Sequence, residues 1–274
     1  MEIRTASPED LDAVTDIAAI VDPPVDDADL DVSYYRHLLE HGRVVVAEAS
    51  DIVIGYAATI GVDRSRHLSD LFLHQDARGQ HIGRRLLDAV WETDAALAPR
   101  QAFSSVHPAA MPLYIRAGMT PLWPLLYLNG SAAALPPSRL DVQEIGLALA
   151  ADHETQWLGW RRHEQYGYWM QRPGARIFGV RDAAGIVAVG GTARNRSMHS
   201  IGRLVCVDAS LLPDALVAAA SWAGDDVMVA VPGVSPAAST LVDAGWRIVG
   251  HDIYCASEPD LFDPMRVLPH PGLL

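Results

Sequence analysis

Short apolar runs bounded by turn residues recur along the first half of the chain and read as strands: Met1–Thr5, Arg43–Glu48, Ile52–Ile60, Leu68–His74, Ala102–Val106 and Leu122–Leu128. Helices are predicted after Ser7-Pro8-Glu9-Asp10, where a capping residue precedes a proline, and over Val32–His41, Gly83–Ala96 and Ala109–Ala117. Within Gly83–Ala96 the apolar residues Leu86, Leu87, Val90 and Trp91 return at helical spacing. Helices, a run of strands, then strand-helix-strand-helix-strand predict an α/β layer structure, a mixed and mostly antiparallel sheet flanked by helices.

The same order returns in the second half. Ile177–Arg181 matches Val44–Glu48, Ile186–Thr192 matches Ile52–Thr59, and Leu204-Val205-Cys206 matches Leu71-Phe72-Leu73. Val227–Trp246 aligns with Phe103–Met119, so that Ala244-Gly245-Trp246 falls on Ala117-Gly118-Met119. The turn and breaker cluster Asn129–Leu140 separates the copies. Two tandem domains are therefore expected: residues 1–130, a linker over 131–140, a second domain over 141–258, and a tail over 259–274.

Composition narrows the possibilities. The chain of 274 residues has a formal charge of −13, which argues against a nucleic-acid partner and suits a cationic small molecule. No apolar run is long enough to span a bilayer, and the first residues show no basic patch followed by an apolar stretch, so a cytoplasmic protein is expected. The basic residues are all arginine, which excludes Schiff-base lysine chemistry and a lysine-bearing phosphate loop. Cys206 and Cys255 read as buried apolar thiols. His67, His74 and His81 span strand, turn and helix start without sharing a face, so no metal site is expected. The acidic stretch Val21–Asp31 is either a solvated loop or an aid in recruiting a cationic substrate.

One segment carries chemistry. In Leu71–Leu87 a strand ends, the turn Gln75-Asp76-Ala77-Arg78-Gly79-Gln80-His81 follows, and an amphipathic helix begins near Ile82. Successive amides of such a turn converge on one spot and the helix N-terminus adds its positive end, an arrangement fit for a pyrophosphate. Arg78, Arg84 and Arg85 add positive charge there.

Arg78, Gly79, Gln80, His81, Ile82 and Gly83 resemble the acetyl-coenzyme A signature of the GNAT acetyltransferase superfamily, Arg or Gln, two variable residues, Gly, one variable residue, and Gly or Ala. His81 stands where the family usually has its middle glycine. His107–Met119 looks like the family's later helix, with His107 at a place usually held by Asn and Leu113-Tyr114 followed by Gly118-Met119. The resemblance implies acetyl-coenzyme A as co-substrate, held by Phe72, Leu73, Arg78, Gly79, Gln80, His81, Ile82, Gly83, Arg84 and His107. It implies direct attack of an amine on the thioester, Tyr114 as general acid to the leaving thiolate, an N–H near Leu73 for the oxyanion, and Asp70 as candidate base. An acyl-coenzyme A sensor without turnover, a longer acyl group and an alcohol acceptor remain alternatives. The acceptor, a small molecule or peptide amine, is not specified by the sequence.

The second copy lacks the signature: between Cys206 and Leu216 it has neither glycine nor arginine, and Leu241 stands in place of Tyr114. It is expected not to bind cofactor. Its aromatic group Trp157, Trp160, Tyr166, Tyr168 and Trp169, with Arg161, Arg162, His153 and His163, reads as packing between the halves or as an acceptor pocket.

Overall fold

A computed structural model describes residues 1–22, 31–92, 98–195 and 197–274, which form two compact units, Met1–Ala102 and Phe103–Leu274. Most of the acidic stretch Val21–Asp31 lies outside the described residues, as does the end of the helix expected to reach Ala96.

In the first unit the strands β1 (Glu2–Thr5), β2 (Arg43–Ala49), β3 (Ile52–Val62) and β4 (Ser65–Leu73) pair antiparallel in sequence order. The strand β5 (Arg100–Ser104) joins β4 in parallel. Helices α1 (Leu11–Val21), α2 (Val32–His41) and α3 (Ile82–Trp91) complete the layers. Helix α3 buries Ile82, Leu86, Leu87, Val90 and Trp91 and leaves Arg84, Arg85 and Asp88 in water, the division its helical spacing requires. Arg4 fastens β1 to the entry of α1: its two terminal nitrogens meet the Asp10 carboxylate at 2.8 Å each, and Nε meets Glu48 at 2.8 Å. The Ser7 amide donates to the same Asp10 carboxylate at 2.7 Å, so one nearly buried acid caps the turn and anchors the strand.

The second unit holds α4 (Ala110–Arg116), β6 (Thr120–Ser131), β7 (Asp141–Glu144), α5 (Leu147–Leu158), α6 (His163–Trp169), β8 (Arg176–Arg181) and β9 (Ile186–Asn195). It continues with β10 (Met198–Cys206), α7 (Leu212–Ala223), β11 (Asp226–Pro232), α8 (Pro236–Asp243), β12 (Arg247–Ala256) and β13 (Val267–Leu268). Its sheet runs β12-β6-β11-β10-β9-β8-β7, with β13 paired to β10. Strand β6 thus lies between β11 and β12. The alanine-rich α7 packs closely on this sheet, burying Leu212, Ala215, Leu216, Ala219 and Ala220.

The repeat seen in the sequence is a repeat of elements. Strands β1 to β5 correspond to β7 to β11, α3 to α7, α4 to α8 and β6 to β12. The correspondence extends to an irregularity. Pairing of β3 with β4 slips between Ala58/Asp70 and Thr59/Leu68, which makes Ser69 an extra residue. Pairing of β9 with β10 slips between Gly191/Arg203 and Thr192/Ile201, which makes Gly202 the extra residue at the matching place.

The cluster Asn129–Leu140 is partly regular: Asn129, Gly130 and Ser131 close β6 and pair with Met228, Val227 and Asp226. A Cβ on Gly130 would come within 2.4 Å of the Trp246 ring, so this glycine serves close packing. Strands β4 and β5 begin earlier than the sequence pattern suggests, at Ser65 and Arg100. Among the described residues no helix is long and apolar enough to cross a membrane.

Candidate active site

Asp70 follows the bulge of β4 and faces the same side of the sheet as Ala58 and, two residues on, Tyr56. The Tyr56 hydroxyl donates to Asp70 Oδ2 at 3.2 Å, and the Tyr34 hydroxyl of α2 donates to Oδ1 at 3.3 Å. Tyr34, Tyr35, Tyr56 and Phe72 form a chain of edge-to-face rings around the carboxyl. Burial among them lifts the Asp70 carboxyl to about 7, although the two hydroxyls oppose the rise; the charge of Asp22 reinforces it. Burial, then the Asp70 charge, hold the Tyr56 phenol well above its ordinary value, so it remains a proton donor. Asp70 is itself only half-buried, and solvent or a substrate can still reach it.

Beyond the bulge β4 has an open edge. Its pairing with β5 covers Arg66–Leu68 against Arg100–Ala102 and goes no further, which leaves Ser69–Leu73 unpaired on that side among the described residues. The amide of His74 donates to Ile54 O at 2.9 Å. Strand alternation then turns Phe72 toward β3 and the main-chain groups of Leu71 and Leu73 toward the open edge. Of the two residues named for this contact from the sequence, Leu73 faces the edge with its main chain, whereas the Phe72 main chain faces β3.

The turn after β4 contains two left-handed residues. Gly79 has φ +79° and His81 has φ +60°, both left-handed, and α3 starts at Ile82. The amides of Gly79, Gln80, His81, Ile82, Gly83 and Arg84 have no acceptor among the described residues. His81 carries a Cβ in a conformation that favours glycine, which costs about 1 kcal/mol. Arg78 is exposed and pairs with no acid among the described residues, whereas Arg84 is engaged by Asp88 at 2.8 Å.

The remaining residues named from the sequence lie in the second unit. Tyr114 is buried in α4 and its carbonyl accepts the Met119 amide at 3.1 Å. His107 is exposed and its Nδ1 accepts the Ala109 amide at 3.2 Å, which caps the approach to α4.

Residues 40–120 match the family model of the acetyltransferase (GNAT) domain. That segment is similar to a GNAT acetyltransferase domain. No curated protein matches it by sequence. Among solved structures it is similar to a candidate acetyltransferase from Pyrococcus horikoshii, with TM-score 0.76 and 15% identity over 100% of this chain and 94% of that one. A tandem GNAT protein of the clavulanic acid biosynthesis pathway matches with TM-score 0.64 and 13% identity over 94% and 99%. A GCN5-related N-acetyltransferase from Sphaerobacter thermophilus matches with TM-score 0.60 and 15% identity over 97% and 96%. These likenesses show the fold over the whole chain, and acyl transfer is the chemistry of the family matched over residues 40–120.

Sequence reasoning missed Tyr34 and Tyr56 as partners of Asp70. The signal was present for Tyr56, since Ala58 opposes Asp70 and strand alternation puts residue 56 on the same face. Tyr34 comes from a helix far away in sequence, and nothing local announces it.

Proposed function

We propose that this chain transfers an acetyl group from acetyl-coenzyme A to a primary amine by direct attack, with Asp70 as the base. The carrying observation is Asp70: a half-buried carboxyl poised near 7 beside the open edge of β4. A base must remove a proton from the ammonium form before nitrogen can attack, and a base titrating near neutrality does this with least loss to incorrect protonation. Tyr34 and Tyr56 hold the carboxylate in one orientation and keep it from swinging away.

The residues present fit the co-substrate. The acceptor-free amides of Gly79 to Arg84 and the guanidinium of Arg78 would hold a pyrophosphate, and the main-chain groups of Leu71 and Leu73 would pair with an amide-bearing arm. Acetyl-coenzyme A supplies the thioester. The Leu73 amide supports the oxyanion and Tyr114 returns a proton to the thiolate, roles that rest on the family resemblance. The acidic protein suits a cationic acceptor, a small molecule or peptide amine, and no nucleic acid or membrane partner is proposed. A second reading, binding without turnover, draws on His81, whose left-handed backbone and side chain burden the cradle.

Calorimetric titration of acetyl-coenzyme A into the wild type and Gly83→Glu tests the cradle, and thiol release over a panel of amines tests turnover. Micromolar binding at one site, lost in the variant, with amine-dependent thiol release, is the expected result. Binding without release by any amine favours the second reading, and unaltered binding by Gly83→Glu refutes the cradle.

A further inference from the structure

The sheet of the second unit has two unlike faces. Leu128 of β6 and Val229 of β11 oppose each other and are buried in the core that holds α7 and α8. Strand alternation therefore turns Leu125 and Tyr127 to the opposite face. On β12 the residues opposing Trp123 and Leu125 are Tyr254 and Asp252, so these share that second face. One end of it is sealed by rings. Trp123 stacks on Tyr254 with centroids 4.5 Å apart, and Phe103 and Phe262 pack against both. Trp123, Tyr254 and Leu125 are buried, whereas Tyr127, Gly250 and Asp252 beside them are half-buried.

Asp252 stands where the seal ends. The Tyr127 hydroxyl donates to its Oδ2. The Tyr127 ring lies over Gly250, with Cδ2 3.5 Å from where a Cβ would stand. Burial raises the Asp252 carboxyl above its ordinary value; the Tyr127 bond and then the charge of His251 oppose the rise. Among the described residues Oδ1 accepts no hydrogen bond and no arginine pairs with this carboxyl. A carboxylate partly withdrawn from water and held by a single phenol is costly, and the strand ladder makes no use of it. An apolar wall, one open acceptor oxygen and no cation supplied by the chain suit an ammonium group carried on an alkyl chain.

The first unit contains the same device. Tyr56 stands diagonal to Asp70 on the neighbouring antiparallel strand and donates to it. There the second oxygen is taken by Tyr34, whereas on Asp252 it is left open. This likeness is one of geometry and does not depend on the activity proposed for Asp70.

We infer that Asp252 and Tyr127 form a binding site for an alkylammonium ion in the second unit. The ammonium donates to Oδ1, the Tyr127 hydroxyl fixes the carboxylate through Oδ2, and the alkyl chain lies on the half-buried Tyr127 ring.

The test titrates hexylammonium into the full chain carrying 13C-labelled tyrosine rings, with 1-hexanol as the uncharged probe of equal length. The Tyr127 and Tyr56 signals are assigned from Tyr127→Phe and Tyr56→Phe. The Tyr127 signal should move saturably with hexylammonium, and hexanol should need about tenfold more for the same shift, the ratio expected for a charge-assisted contact against a neutral one. Asp252→Asn keeps the shape of the side chain and should raise the hexylammonium half-saturation at Tyr127 about tenfold, leaving the Tyr56 response unchanged. A stationary Tyr127 signal, an equal response to hexanol, or an unchanged response in Asp252→Asn would overturn the inference. The hexanol comparison is made on the wild type, so it decides even if the variant fails to fold. Movement of Tyr56 with Tyr127 still would sink this site and leave the proposed function standing; movement of Tyr127 alone, lost in Asp252→Asn, would support the site whatever becomes of that function.

Discussion

Replacing Asp70 by Asn separates the two consequences of burying a carboxyl. The folded protein keeps this group protonated up to about 7, whereas the unfolded chain releases the proton near the ordinary 3.8. Between these values the folded state binds a proton that the unfolded state has lost, so stability falls as pH rises through this window. The full displacement corresponds to about 4 kcal/mol at about 1.36 kcal/mol per pH unit, and solvent access to a half-buried side chain reduces this to about 2 kcal/mol. Asn keeps the shape and can still accept from Tyr34 or Tyr56, but it has no charge to desolvate. The variant should match the wild type near pH 4 and exceed it by about 2 kcal/mol, or about 5 °C in melting temperature, at pH 8.

Catalysis should move the opposite way. Wild-type kcat/KM is expected to rise with pH through an acid limb near 7, and Asp70→Asn should lose about 100-fold or more of it together with that limb. Denaturant melts at pH 4, 6 and 8 and a pH–rate profile measure both. A stability difference that is flat with pH would refute the burial argument. An active variant with the limb intact would refute the assignment of the base.

Tyr114→Phe should cut kcat while leaving calorimetric acetyl-coenzyme A affinity within about twofold, because the ring is kept and one proton donor removed. His81→Gly relieves a left-handed residue by about 1 kcal/mol, offset by about 0.4–1 kcal/mol of added freedom in the unfolded chain; its melting point should hardly change while coenzyme binding tightens several-fold. Asp10→Asn should cost about 1–2 kcal/mol at pH 7 in urea melts, since Arg4 holds the Asp10 carboxylate down to about 2. That stabilisation is complete above the ordinary 3.8 and disappears as pH falls toward 2, so wild type and variant should converge there.

Much of this was legible because backbone demands leave marks in sequence. Gly79 announces a left-handed turn, and the face of α3 is written in Leu86, Leu87, Val90 and Trp91. What escaped is what folding brings together from afar. Gly130 reads as a turn residue and is instead a gap into which Trp246 packs, so β6 runs on through a stretch that looked like a breaker. The aromatic group of the second half looked like an acceptor pocket or a seam; Trp160 lies against Phe262 and over Arg203, and Tyr166 bonds Glu154 beneath the tail. No local pattern states that Arg162 and Arg203, separated along the chain, would meet at Leu274.

The two repeats show how one backbone device serves opposite ends. A bulge placed after three parallel pairs leaves a strand edge and a following turn with unused hydrogen-bonding groups, and those groups must be satisfied by something. In the first repeat they stay available: the turn has glycine at the left-handed position, and the residue after the bulge is an acid held by two hydroxyls. In the second, the chain satisfies them itself. In the turn after β10 the Asp208 carboxylate accepts the Ser210 amide at 2.8 Å. The edge pairs with β13, and the residue after the bulge is Arg203, which holds Leu274. A cation at that position cannot take a proton from an ammonium ion, so the second repeat has at that place no group that could play the part proposed for Asp70.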